Sequence, residues 1–162
     1  MKHIQATIEH GTVSLNSEEI KGLIENSNFF EEVEDISHQV YEDNILAFRV
    51  KLDGSILEEE VERDLEEEGY VMTEEDEYTS VLLEQAEYFI DSAVDDIKDR
   101  IETRYNIAHL GSSYNIYQSN TTTSDVRFVL TLSFGPLGHG QLFEITNAVV
   151  DKNYTSNRGQ FQ

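Results

Sequence analysis

The feature that most constrains this chain is a strongly acidic block that keeps the apolar spacing of helices. Residues 53–104 hold 20 acidic and 4 basic residues, whereas residues 105–162 hold 3 of each. Within the block, Leu57, Val61 and Leu65 recur at four-residue spacing. This is the period of an amphipathic helix with one buried face. The block therefore predicts acidic helices that pack on the rest of the chain through a narrow apolar stripe.

Helix boundaries within the block are indicated by capping residues. Ser55 followed by Glu58 has the pattern of a capping box, and Gly69 stands where the first helix is expected to end. Thr73 with Asp76 repeats the pattern. A medium helix is thus predicted from residue 55, and a long one that runs to about residue 104.

The N-terminal region predicts a hairpin and a short helix. Residues 3–8 and 12–15 are typical of short strands. Asn16, with Glu19 three residues later, indicates a capped helix start, and the helix is expected to stop near Asn26. Its inward side chains would be Ile20, Leu23 and Ile24.

Alternating apolar and polar residues predict further strands. In residues 45–52, Phe48 and Val50 face one side and Arg49 and Lys51 the other, which is typical of an antiparallel strand. The other strands are predicted over residues 33–41, with Ile36, His38 and Val40 on one side, and over residues 114–118, 126–134 and 141–150. The fold class that follows is α+β: antiparallel sheet or sheets packed with one short, one medium and one long acidic amphipathic helix.

A single domain is expected, because 162 residues lie close to the usual domain size of ~100–150 residues. We divide it into an acidic helical segment over residues 55–104, a neutral β-rich part over residues 105–150 and a loose polar tail over residues 151–162. No internal repeat or linker separates two domains.

The long helix carries a row of carboxylates. Its members are three or four residues apart, so neighbours lie ~5–6 Å from each other on one face. The apolar residues Leu83, Ile90, Val94, Ile97 and Ile101 form a separate face, roughly 110° round the axis. The six carboxylates are Glu84, Glu87, Asp91, Asp95, Asp99 and Glu102.

The medium helix has a higher charge density. Residues 58–68 contain eight carboxylates within ~16 Å of helix axis, or about one per 2 Å, whereas B-DNA carries one phosphate charge per ~1.7 Å. The repulsion costs about 0.2–0.5 kcal/mol for each like-charged i,i+4 pair. We interpret this surface as a substitute polyanion. The candidate partner-binding residues of this helix are Glu58, Glu59, Glu62 and Glu66.

Other kinds of site are not predicted. Without cysteine there is no thiolate chemistry, and the five histidines show no metal-ligand spacing. His139 lies in a glycine-rich loop that is predicted to join two strands, and a phosphate cradle needs a helix N-terminus after the glycines. We therefore predict no catalytic, cofactor-binding or metal-binding residue, and a protein that is not an enzyme.

The partner is expected to be a basic protein surface. A net charge of -22 opposes direct binding to nucleic acid, and no run approaches the ~18 apolar residues of a membrane span. We expect a cytoplasmic protein, in the host cytoplasm if it is viral. A homodimer is left open.

The main hypothesis is an acidic nucleic-acid mimic that inhibits a basic nucleic-acid-binding enzyme. In general character, though in no motif, residues 53–104 are similar to phage or plasmid anti-restriction and anti-CRISPR proteins. One alternative is an immunity protein or antitoxin that neutralises a basic nuclease toxin. Another is a structural or assembly module in which the neutral C-terminal part forms the interface.

Overall fold

A computed structural model of the chain describes residues 1–67, 75–107, 110–120 and 125–158. The strands of this part are His3–Ile8 (β1), Gly11–Asn16 (β2), Phe30–Asp35 (β3), Ile45–Leu52 (β4), Gly111–Asn120 (β5) and Asp125–Ser133 (β6). The helices are Ser17–Glu25 (α1), Gly54–Glu67 (α2), Glu75–Tyr105 (α3) and His139–Arg158 (α4), with a 3-10 turn at Ser37–Gln39.

The strands form two antiparallel sheets. β1 and β2 make a hairpin, and the other four make a sheet in the order β3-β4-β6-β5. The central pair β4 and β6 is in register, with Phe48 opposite Leu130 and Val50 opposite Phe128. The expected α+β class with antiparallel sheets is confirmed.

The four-stranded sheet is a middle layer with apolar residues on both faces. On one face, Phe48 and Phe128 are fully buried against α1, α2, α3 and the hairpin. On the other face, Ala47 and Val129 are buried in a smaller cluster that includes Leu142 of α4. The alternation predicted for β4 is therefore correct, but its second face is also covered where α4 packs.

α4 replaces a predicted strand. The strand over residues 141–150 is wrong, since the region is helical. Leu142, Thr146 and Val149 are buried, at the four- and three-residue spacing of a helix face. The β-branched residues suggested a strand, but packing against β5 and β6 decides the outcome.

α4 also corrects the predictions for the glycine-rich loop before it and for the polar tail after residue 150. A helix does begin at His139, directly after the glycine-rich loop, so the argument that this loop joins two strands is wrong. Residues 151–158, assigned to the polar tail, belong to the same helix. Residues 159–162 lie outside the described part of the chain.

The predicted strand over residues 33–41 is misplaced. The strand ends at Asp35, and Ser37 lies in a 3-10 turn. The Ser37 hydroxyl donates to the Ala47 carbonyl (3.2 Å) and accepts from the Ala47 amide (3.0 Å). This side chain therefore makes the hydrogen bonds to β4 that the main chain of a neighbouring strand would otherwise make. His38 is exposed, while Ile36 and Val40 are buried, so these three residues do not share a face.

Two predicted helix starts have different outcomes. At α1, the Glu19 amide donates to Asn16 Oδ1 at 2.9 Å, as the capping pattern predicts. At α2, the cap is Asp53 rather than Ser55, because Asp53 Oδ1 accepts from the Ser55 amide at 3.0 Å. Gly69, Thr73 and the side chain of Leu65 lie outside the described residues.

None of the helices, as far as the structure describes them, combines the length and apolar character needed to cross a membrane.

Candidate functional site: the acidic surface of α2 and α3

The core orients α3 so that its carboxylate row points away from the sheet. Leu82, Ala86 and Ile90 are fully buried at four-residue spacing, and Ile97 and Ile101 continue the stripe. Leu82, not the half-buried Leu83, belongs to the buried face. With this correction the apolar stripe lies ~140° round the axis from the row.

The row on α3 is open to solvent along most of its length. Glu102, at its C-terminal end, is half-buried. The exposed members are Glu84, Glu87, Asp91, Asp95 and Asp99.

α2 presents its own carboxylates in the same way. Leu57 and Val61 are buried in the core cluster that also contains Leu82 and Ala86 of α3. The two helices pack directly against each other. The candidate residues of α2 are all exposed: Glu58, Glu59, Glu62 and Glu66.

The ten candidate carboxylates are not neutralised by basic side chains. Among the described residues, none of them lies within 4.0 Å of a lysine, arginine or histidine nitrogen. The ion pairs that do form use other acids: Glu25, Glu31, Glu32, Glu34, Glu60, Asp96 and Asp125. Six of the described cations therefore pair with acids outside the candidate set, and the ten candidate carboxylates keep their charge.

Two basic residues on these helices pair with acids outside the candidate set. Arg63 pairs with Glu60 at 2.8 Å, and Arg100 pairs with Asp96 at 3.0 Å. Lys98 lies on the same side of α3 as the row, yet within the described part of the chain it forms no ion pair of 4.0 Å or less. The field of the row is reduced by Lys98 but is not cancelled.

One member of the row is fixed by a neighbouring strand. The Tyr114 hydroxyl of β5 donates to Asp91 Oδ1 at 2.8 Å. Burial of the phenol raises the pKa of Tyr114 well above its usual value, and the Asp91 hydrogen bond and the charges of Asp91 and Glu87 raise it further. Tyr114 therefore remains a donor over the whole neutral range. No local pattern predicts this pairing between residues 23 positions apart.

No family model, curated protein or solved structure matches this chain.

In the described ranges, no group of three or more histidine, aspartate or glutamate side chains is placed to hold a metal ion. The absence of a cofactor and of enzymatic activity remains a prediction.

A groove lies between α3 and β5, and no sequence pattern predicts it. It encloses about 420 Å³ and is lined by Leu83 and Glu87 on the helix side. The strand side consists of the consecutive residues Tyr114, Asn115, Ile116, Tyr117 and Gln118. The groove thus lies directly beside the carboxylate row.

Basic residues gather at a different place, on the face of the sheet opposite α3. Lys51 and Arg127 are direct cross-strand neighbours, and Arg49 lies close by at a cavity of about 240 Å³. Each of the three has a carboxylate partner. The two surfaces therefore differ: basic and acidic side chains are paired on the sheet face, whereas the candidate carboxylates of α2 and α3 have no cationic partner among the described residues.

Proposed function

We propose that this protein inhibits a basic nucleic-acid-binding enzyme by occupying its nucleic-acid site with the carboxylates of α2 and α3. The observation that carries the proposal is the selective pairing of charges. Ten carboxylates on α2 and α3, nine exposed and one half-buried, have no cationic partner among the described residues, while seven other acids do.

The physical mechanism is competition for lysine and arginine side chains. Carboxylates ~5–6 Å apart along α3 offer a linear array of acceptors. The eight carboxylates of residues 58–68 add a charge density close to that of a nucleic-acid backbone. Complementary charge speeds the encounter and suppresses neutral or acidic partners. The complex should weaken as salt rises, because exposed charges are screened within ~8 Å at physiological ionic strength.

The target would be an enzyme that defends the host against foreign nucleic acid, namely a restriction or CRISPR enzyme. Such enzymes hold nucleic acid in positively charged channels, which fit an anionic helical surface. The protein itself would carry out no chemistry.

The test begins with the target. Affinity capture from host lysate at low and moderate salt identifies the bound proteins, and each purified candidate is assayed for DNA binding and cleavage. We expect inhibition that is overcome by added DNA and by salt.

A matched pair of variants tests the surface itself. The variant Glu62→Lys, Asp95→Lys, Asp99→Lys reverses three exposed members of the array. The control Glu9→Lys, Glu144→Lys, Asp151→Lys reverses three exposed acids outside it. Both have the same net charge.

We expect the first variant to raise the inhibition constant at least ~100-fold, because attraction becomes repulsion at three contacts. The control should change it little. An equal loss in both variants, or inhibition that does not compete with nucleic acid, would contradict the proposal.

A further inference from the structure

The two edges of the four-stranded sheet are protected very differently. β3, at one edge, has six residues, of which Glu31, Glu32, Glu34 and Asp35 are acidic. β5, at the other edge, has ten residues and contains no charged residue and no proline. Natural sheets usually protect an exposed edge by short length, charge or proline. β5 has none of these.

In the described residues, β5 has one partner strand, β6. The only irregularity in this pairing is a register shift between Ile116 and Gln118. The side of β5 away from β6 therefore faces no other strand in this part of the chain, and a bulge between residues 116 and 118 modifies the edge.

The groove beside β5 runs along this edge. Tyr114 and Ile116 face α3, because they lie opposite Leu130 and Phe128, which are buried in the core on that side of the sheet. The groove contacts five residues in succession, from Tyr114 to Gln118. Five residues of extended chain span ~17 Å, so the groove is as long as a short strand.

The helix wall of the groove indicates what would bind there. Leu83 offers an apolar contact, and Glu87 lies one turn away in the same wall. Glu87 is exposed and has no described ion pair. A second copy of this chain would bring its own charge of -22 to the same place, which disfavours self-pairing.

We propose that the outer edge of β5 receives an extended, lysine- or arginine-containing segment of the partner protein as a fifth strand. Main-chain hydrogen bonds to β5 would supply affinity, and the Glu87 carboxylate would select cationic side chains. The basic character of the partner rests on the proposed function; the strand addition rests on the unprotected edge and its groove.

A defined probe tests strand addition directly. The probe is a heptapeptide of alternating lysine and valine, and its control is the same peptide with a methyl group on every backbone nitrogen. The control has the same charge but cannot donate main-chain hydrogen bonds. Binding is followed by amide chemical shifts and hydrogen exchange of the isotope-labelled protein.

We expect the unmethylated peptide to slow hydrogen exchange at alternate β5 amides at least tenfold at saturation, and the methylated peptide to leave it unchanged. The Glu87→Gln variant should bind the peptide roughly twofold to fivefold more weakly, as expected for one exposed ion pair.

Two variants separate the edge from general charge. Gln118→Lys places a lysine at the exposed end of the groove, where it blocks strand addition. Gln5→Lys adds the same charge on β1, where Gln5 is exposed. We expect the peptide affinity to fall with the first and to stay within about twofold with the second.

Three results would overturn the proposal. The first is equal binding of both peptides with no protection of the β5 amides. The second is the same change in peptide affinity in both lysine variants. The third is protection of the β5 amides without peptide as the protein concentration rises, which would indicate self-pairing. None of these results affects the proposed mimicry, whose test residues Glu62, Asp95 and Asp99 do not line the groove.

Discussion

The hydroxyl of Tyr114 donates to Oδ1 of Asp91 at 2.8 Å, and this bond joins the edge strand of the sheet to the middle of the long acidic helix. Asp91 also belongs to the candidate row. The row is therefore held to the fold at one point by a side-chain hydrogen bond, in addition to the buried stripe of α3. Both proposed contact areas, the row and the β5 edge, meet at this pair.

The first prediction concerns the stability that this bond provides. Tyr114→Phe should lower the free energy of unfolding by about 1 kcal/mol, since the acceptor is charged but the site is half-exposed. Urea denaturation near neutral pH measures it. In an Asp91→Ala background the same substitution should cost much less. An equal cost in both backgrounds would show that the bond contributes nothing to stability.

The second prediction concerns alkaline pH. The pKa of Tyr114 is raised in the folded protein, chiefly by burial and then by Asp91 and Glu87, while the unfolded value is ~10. The stabilisation is fully present below pH ~10 and is lost as pH rises from there towards the folded pKa, because the unfolded chain releases its proton first.

The measurement is the stability difference between the wild-type protein and Tyr114→Phe. It should shrink as pH rises from ~9 to ~11. The raised pKa of Tyr105, caused mainly by burial and the charge of Glu19, affects both proteins and cancels in this difference. A stability difference that stays constant with pH would contradict a raised pKa of Tyr114 in the folded protein.

The third prediction uses two adjacent aspartates of α3. Asp95 has like charges four residues away on both sides, Asp91 and Asp99, partly offset by Lys98. Asp95→Asn should raise the free energy of unfolding by about 0.2–0.5 kcal/mol at low salt and less at high salt. Asparagine and aspartate have similar helix propensity, so the effect reports charge.

The control is Asp96→Asn, which removes the 3.0 Å ion pair with Arg100. It should give no stabilisation, because an attractive pair is lost. Thermal unfolding of both variants at two salt concentrations separates the cases. Equal stabilisation by both substitutions would mean that the total charge, not the row, sets the repulsion.

The sequence predicted those parts of the fold in which one period dominates. The apolar spacing of α3 from Ile90 to Ile101 and the alternation of β4 were predicted correctly, because each element buries a continuous stripe or face. The exposure of the acidic residues follows from the same periods. The cap at Asn16 was also predictable, since it involves neighbours in sequence only.

The features that the sequence did not predict depend on contacts between residues far apart in the chain. Thr146 and Val149 lie in a β-branched stretch, yet packing against the sheet makes it helical. Ser37 interrupts a strand pattern by bonding to Ala47. The bond from Tyr114 to Asp91 and the groove depend on which strand lies beside α3, and no local pattern carries that information.

The last prediction concerns how α4 is attached to the sheet. The hydroxyls of Thr131 on β6 and Thr146 on α4 are buried and lie 2.7 Å apart. Thr146 can also donate to the Leu142 carbonyl at 2.8 Å, and Thr131 to the Ser113 carbonyl at 3.3 Å. Each hydroxyl thus keeps one main-chain acceptor when the other is removed.

Thr131→Val or Thr146→Val alone should therefore lower the free energy of unfolding by only about 0.5–1.5 kcal/mol. The double variant should lower it by less than the sum, with a coupling of about 0.5 kcal/mol or more, because valine fills the same volume and leaves no buried hydroxyl. Chemical denaturation of the wild type, the two single variants and the double variant measures this coupling as a double-mutant cycle. Additive costs would mean that the two hydroxyls do not interact and that α4 is held by its apolar contacts alone.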